Sequence, residues 1–233
     1  MKSLLVSGIS GQVGSHIQKL ASKYSFNLVC GVDRKRFSDA DCPVYNSFSE
    51  VKENIDLIID FSSPALLEEA IDFSLKKGCK LVSGTTALLT NQISKLKELS
   101  KITAVCHSNN FSKSVVPFIW ASEQLKNSLG DFDCVLVEEH NKNKKDAPSG
   151  TAKQIADRLN IDQIHPIRGG SVSGVHKILF LGMGEEIEIT HRAYEKSVFA
   201  RGALYCAQVL MEKEKGLYTV ESLFNGTDRK SVV

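Results

Sequence analysis

Residues 3–14 read SLLVSGISGQVG, and this stretch decides the fold. Leu4, Leu5 and Val6 form a short apolar run that stops at Gly8. The next segment, QVGSHIQKLASKY (12–24), places Val13, Ile17, Leu20 and Ala21 on one helical face. A strand, a glycine turn and a helix therefore follow one another, with glycines at 8, 11 and 14. Gly8 suits the tight turn, and Gly11 lets backbone N–H groups approach a pyrophosphate. Gly14 allows close packing of helix on strand, and the helix start supplies partial positive charge. The spacing is GxxGxxG rather than GxGxxG, so the loop alone also fits a tight strand–helix turn with no ligand. The same residues read better as a first β-strand than as a signal peptide, because the apolar run breaks at Gly8 with no small-residue cleavage pattern behind it.

Outward from the loop, strands and helices alternate. NLVCGVD (27–33), DLIIDFS (56–62), KLVSGTT (80–86) and ITAVCHS (102–108) read as strands. Pro64 opens a helix that Gly78 stops after Lys77, and NQISKLKELSK (91–101) is a second helix. This alternation predicts an α/β fold, a Rossmann-like doubly wound parallel sheet with helices on both faces. Ligands of such sheets bind at the carboxyl ends of the strands, where the polar and glycine-rich breaks fall here. Asp33 ends the second strand 19 residues after Gly14, about the interval for a carboxylate on an adenosine ribose. A carboxylate there favours the free 2′-hydroxyl of NAD, and the following Arg34, Lys35 and Arg36 suit the 2′-phosphate of NADP. Arg36 is read as solvated loop.

The pattern changes after a helix over 112–128. DFDCVLVEEH (131–140) is a strand, SGTAKQIADRLN a short helix, and GVHKILFLG and EEIEITHRA two long strands. They predict a smaller α+β domain over 112–196 with an open mixed or antiparallel sheet. The helix predicted over 197–216 returns to the first domain, which therefore comprises 1–111 and 197–233.

The chain has 233 residues, enough for one large domain or two small ones. Its 42% hydrophobic and 24% charged content is that of an ordinary soluble globular protein. A net charge of +2 gives no basis for nucleic-acid binding, and no apolar run is long enough to span a membrane. The cysteines (Cys30, Cys42, Cys79, Cys106, Cys134, Cys206) are scattered without a CxxC pair. Reduced, mostly buried thiols and a cytoplasmic setting are expected.

Residues 138–152, EEHNKNKKDAPSGTA, carry the second signal. His140 ends a strand and has a side-chain pKa near ~6.5, suited to proton transfer at neutral pH. No ligand cluster at metal spacing accompanies it, so no metal is expected. Taken alone, such a His is more often a bland residue than a catalytic one, and Lys142, Lys144 and Lys145 read as a charge run on a solvated loop. Ser149, Gly150 and Thr151 then stand where a helix begins. Free N–H groups there make a carboxylate or phosphate site, and simple capping by Ser149 is the plain alternative. Lysines facing that helix start would form a pocket suited to a small dianion.

HNKNKKDAPSGTA resembles the signature of the 4-hydroxy-tetrahydrodipicolinate reductase (dihydrodipicolinate reductase) family of the diaminopimelate and lysine pathway. GISGQVG, DFSSP, SGTT, SNNFS, GVHKILFLG, EITHRA and FARGAL follow in the family's order, so the likeness covers nearly the whole chain. The resemblance implies an oxidoreductase using NADPH and/or NADH on a small dicarboxylate, typically a homotetramer built through the substrate-domain sheet. It places Gly8, Ile9, Ser10, Gly11, Gln12 and Val13 on the cofactor diphosphate, and Asp33 and Arg34 on the adenosine ribose. Gly84, Thr85, Thr86, Ser108, Asn109, Asn110 and Phe111 line the nicotinamide end. His140 is the implied proton donor, Lys144 the second catalytic cation, and Asn141, Gly150 and Thr151 the substrate-binding residues. Three positions depart from the pattern: Asn141 replaces a second histidine, Ser63 a frequent Arg, and Gln12 a frequent Arg in the glycine loop. The chain is also shorter than usual between the Gly150 helix and IRGG. His176 and His191 occupy matched positions with a supporting role at most, and His16, His107 and His165 have none. Two other classes fit the residues: a different NAD(P)-dependent imine or amino-acid dehydrogenase, and a non-catalytic NAD(P)-sensing regulator.

Overall fold

The computed structural model describes residues 1–35 and 40–224. Arg36 lies outside them. The chain begins with β1 (Lys2–Ser7), α1 (Gln12–Leu20), β2 (Phe26–Val32), β3 (Val44–Tyr45), β4 (Leu57–Asp60), α2 (Pro64–Lys77), β5 (Lys80–Ser83), α3 (Thr90–Ser100) and β6 (Ala104–His107). It continues with α4 (Val115–Ser128), β7 (Asp133–His140), α5 (Gly150–Leu159), β8 (Gln163–Arg168), β9 (Gly174–Leu181) and β10 (Glu186–Ala193). It closes with α6 (Ser197–Met211), β11 (Gly216–Tyr218) and α7 (Val220–Phe224). Two compact units result: residues up to Phe111 together with those from Ser197 onward, and Ser112–Lys196.

The first unit holds a seven-stranded parallel sheet in the order β11-β6-β5-β4-β1-β2-β3. The order reverses beside β1, the switch point where ligands of open α/β sheets bind. Both faces are covered. Leu5, Ile58, Leu81 and Val105 share one core with Leu66, Leu67, Ile71, Leu96 and Leu99 of α2 and α3. Their neighbours Leu4, Val6, Ile59 and Val82 point the other way and are equally buried. α6 packs against α1 and against β4, β5 and β6 of the same unit.

The predicted boundaries of α2 hold because local chemistry sets them. The Ser63 hydroxyl accepts from Leu66 N at 3.4 Å, Pro64 takes the first turn, and Gly78 ends the helix at φ +72°. The helix predicted over 12–24 is α-helical only to Leu20. Its last turn tightens to 3-10 form and ends at Ser25 in the left-handed region. The helix predicted to 216 stops at Met211, and β11 then adds a parallel edge strand beside β6.

The second unit is a mixed four-stranded sheet in the order β10-β9-β7-β8. β7 and β8 are parallel, and the other pairs antiparallel. Phe118 and Ile119 of α4 and Ile155 and Leu159 of α5 pack against Leu136, Ile178 and Phe180 of the sheet. β8 contains Pro166. As an edge strand it tolerates a residue without an N–H.

Candidate active site

The glycine loop is built by backbone contacts. Gly8 sits at φ +75°, donates to Val32 O at 2.8 Å and accepts from Gly11 N at 3.0 Å. A Cβ on Gly8 would stand 2.4 Å from the Phe61 carbonyl, and one on Gly14 would stand 2.2 Å from the Gly8 carbonyl. Side chains are thus excluded where the strand end, the turn and α1 meet. Gly11, the N-cap of α1, has no side chain to cap the helix, and free N–H groups at a helix start suit an anion. Ile9 is buried and Gln12 exposed. Any role of Ile9 in holding a diphosphate would fall to its backbone.

Asp33 does more than end β2. Its Oδ2 accepts from Ser10 N at 3.0 Å and Ser10 Oγ at 2.6 Å, and its Oδ1 accepts from Lys35 N at 3.0 Å. The carboxylate therefore braces the glycine loop from the second strand. Arg34 is exposed and paired with Glu69 at 2.7 Å.

Asp60, which the sequence reading passed over, organises the next two strand ends. It is fully buried and accepts from Ser83 Oγ at 3.0 Å, from Thr85 Oγ1 at 2.6 Å and from Ser62 Oγ. Burial raises its pKa, against the lowering effect of these hydroxyls. Thr85 also accepts from Ser62 N at 3.0 Å, which joins the β4 and β5 loops. A Cβ on Gly84 would fall 2.2 Å from the Phe61 ring, while Thr86 is exposed. After β6, Ser108 Oγ donates to Asn110 O at 2.9 Å and accepts from Asn110 N at 3.1 Å, with Asn109 exposed. Phe111 is 1% exposed, edge-on against Phe61 at 5.5 Å. Its ring fills core, which leaves only the backbone for a ligand.

In the second unit, His140 ends β7 and Glu138 precedes it by two residues, so both point to one face of the strand. Glu138 is completely buried. Its Oε2 pairs with His140 Nδ1, and its Oε1 accepts from Arg168 Nη2 at 2.6 Å and Ser149 N at 3.1 Å. Burial favours a protonated Glu138, but the bonds from Arg168 and His140 outweigh it and hold the pKa below the usual carboxylate range. Burial lowers the His140 pKa. Glu138 pulls it upward, while Lys144 and Arg168 add to the lowering. Glu138 and Arg168 were not singled out in the sequence. The E-x-H spacing on a strand was the available signal for Glu138.

The helix expected after Pro148 begins at Gly150, as α5. The Ser149 hydroxyl accepts from Ala152 N at 3.2 Å, and Thr151 is buried. Lys144 Nζ lies 2.7 Å from Asp146 Oδ1, and the Asp146 carboxylate also takes a backbone bond from Gly150. Here the chain's own carboxylate lies between the two groups expected to hold a foreign one, so the cation and the helix start fit such a ligand. Asn141 Oδ1 accepts from Asn143 N at 3.0 Å and so turns the loop. Lys142 and Lys145 are exposed. His176 lies beside His140, ring centroids 5.5 Å apart, and stacks on His191 at 6.1 Å. Burial, aided by His140, His191 and Lys144, pushes the His176 pKa down to about 3. His191 Nε2 meets the Ser114 hydroxyl at 2.9 Å.

Comparison with known proteins decides the family. Residues 2–111 match the model "Dihydrodipicolinate reductase, N-terminus", and residues 114–224 match "Dihydrodipicolinate reductase, C-terminus". The chain belongs to the dihydrodipicolinate reductase family. The 4-hydroxy-tetrahydrodipicolinate reductase of Caldanaerobacter subterraneus subsp. tengcongensis is 35% identical, covering 96% of this chain and 98% of that one. The Thermosipho africanus enzyme of the same name is 36% identical over 94% and 95% of the two chains. The fold is shared with the dipicolinate-bound dihydrodipicolinate reductase of Paenisporosarcina sp. TG-14, at a TM-score of 0.76, 21% identity and coverage of 94% and 97%. A diaminopimelate dehydrogenase of C. glutamicum resembles it more distantly, at a TM-score of 0.56 and 10% identity over 96% and 95%. In this dihydrodipicolinate reductase family member the Gly8–Gly14 loop and the HNKNKKDAPSGTA segment occupy one chain.

Proposed function

We propose that this chain reduces 4-hydroxy-tetrahydrodipicolinate to tetrahydrodipicolinate with NADPH or NADH, in the diaminopimelate and lysine pathway. The observation that carries the reading is the match of both halves of the chain to one reductase family. Cofactor binding is assigned to the first unit, through the backbone of Gly8–Val13, Asp33, Arg34 and the loops after β5 and β6. The bound nicotinamide would supply hydride. Substrate binding is assigned to the second unit. A ring carboxylate would displace Asp146 from Lys144 and the start of α5, taking bonds from Lys144, Gly150 and Thr151, with Asn141 as a neutral donor. Loss of water from C4 of the hydroxy substrate gives the unsaturated imine, and hydride addition at its C4 then leaves an enamine that needs a proton. His140 would deliver it from Nε2, since Nδ1 is committed to Glu138. Asp33 beside Arg34 supports use of both cofactors. A cytoplasmic homotetramer, joined through the second unit's sheet, belongs to the same reading and rests on the family resemblance.

The test mixes the protein with NADPH or NADH and the freshly made condensation product of pyruvate and aspartate semialdehyde. Prompt oxidation of the reduced cofactor is expected. Tight cofactor binding without turnover would instead favour a sensor, and turnover only with another imine or keto acid would favour a different dehydrogenase.

A further inference from the structure

Glu138 has a position that the reductase reading does not explain. It is a fully buried carboxylate whose two oxygens reach three separate parts of the second unit. Oε2 holds the His140 ring. Oε1 holds Ser149 N, the residue that caps α5, and Arg168 Nη2. Arg168 Nη2 also donates to the Asp146 carbonyl at 2.6 Å, in the loop that carries Lys144. We propose that Glu138 is a positioning residue that sets the His140 tautomer, opposes the loss of its proton, and fixes the imidazole, the start of α5 and the lysine loop in one frame, with Arg168 as its counter-charge.

The inference rests on His140 as proton donor and follows from the groups around that ring. Glu138 faces it from β7, Arg168 from β8, His176 from β9 and Lys144 from the following loop, with His191 of β10 behind His176. Arg168 and Lys144 are cationic, and burial also disfavours a charged imidazole. Among these groups Glu138 alone favours imidazolium. It also sets the tautomer, because a carboxylate at Nδ1 requires a proton there and leaves Nε2 as the exchanging atom. Space is provided at that atom: a Cβ on Gly174 would stand 3.1 Å from His140 Nε2, and glycine leaves it clear. A buried ion pair kept only for stability would account for Arg168, but not for the bonds to His140 and Ser149.

The test compares Glu138→Gln and His140→Gln with the wild type in the full-length protein, measuring kcat across pH with the condensation product. Glutamine keeps the shape and an acceptor for Nδ1–H but removes the charge. Glu138→Gln is expected to lower kcat at least about tenfold near pH ~8 and to move the alkaline limb about one pH unit lower. The dissociation constant for NADPH should not change. If His140→Gln is impaired while Glu138→Gln keeps the wild-type pH profile, the role of Glu138 is refuted and His140 stands. If His140→Gln keeps full turnover, the proton-donor reading itself fails. A second measurement serves if Glu138→Gln does not fold: nitrogen NMR of the wild-type histidines. A neutral His140 protonated at Nδ1 supports the proposal, and one protonated at Nε2 overturns it.

Discussion

Gly8→Ala tests whether backbone crowding at the switch point builds the cofactor loop. Two costs are separable. Alanine at φ +75° pays the left-handed penalty of about 1–2 kcal/mol. Its Cβ would also lie 2.4 Å from the Phe61 carbonyl oxygen and 2.8 Å from its carbon, so the backbone after β4 must move. Overpacking of that kind costs typically ~1–3 kcal/mol, which brings the total to about 2–5 kcal/mol. Gly78→Ala is the control. It has φ +72° but nothing within 4 Å of the added Cβ, so only the first cost applies. Denaturant unfolding of both variants should therefore differ by the overlap alone, about 1–3 kcal/mol. Gly8→Ala should also weaken cofactor binding at least about tenfold, because the Gly8 carbonyl anchors Gly11 N and lies against Gly14. Equal destabilisation by the two substitutions, with cofactor affinity unchanged in both, would refute the reasoning.

Three further outcomes follow from the second unit. His140→Gln should lower kcat at least about tenfold with the cofactor dissociation constant unchanged, since loss of a general acid costs typically ~10²–10⁴. Lys144→Ala should raise KM as well as lower kcat, and unchanged kinetics would reduce it to surface charge. His176 should make the fold acid-sensitive. Its folded pKa of about 3 lies below the unfolded value near ~6.5, so its contribution is complete above pH ~6.5 and is lost as pH falls towards 3. Between pH ~7 and ~4.5 that amounts to about 2–3 kcal/mol, and His176→Leu should flatten this part of the stability–pH curve. Equal slopes in variant and wild type would show that another group carries the acid response.

The parallel sheet and the glycine loop were legible because their signals are local: apolar runs, glycine spacing, and the caps of α2 and α5. What was missed depends on register. Ser7, Asp60 and Ser83 form one row across β1, β4 and β5, and the buried Asp60 site exists only once those strands pair. Likewise β8 brings Arg168 opposite His140, and β9 and β10 put His176 and His191 in the row of Glu138. No spacing in a single segment announces such rows. β3 and β11, of two and three residues, are edge strands defined by their neighbours rather than by their own pattern. Asp33 shows a further limit. Its interval from Gly14 marked a ribose carboxylate, but not its bonds to Ser10.

The most direct test of the central claim follows the hydride itself. The protein is given NADPH or NADH carrying deuterium at the transferable C4 position, together with the fresh condensation product of pyruvate and aspartate semialdehyde. The reductase reading predicts a product carrying one deuterium at ring C4, formed in step with cofactor oxidation. Cofactor bound but not consumed, or consumed with no deuterium in the product, would contradict it.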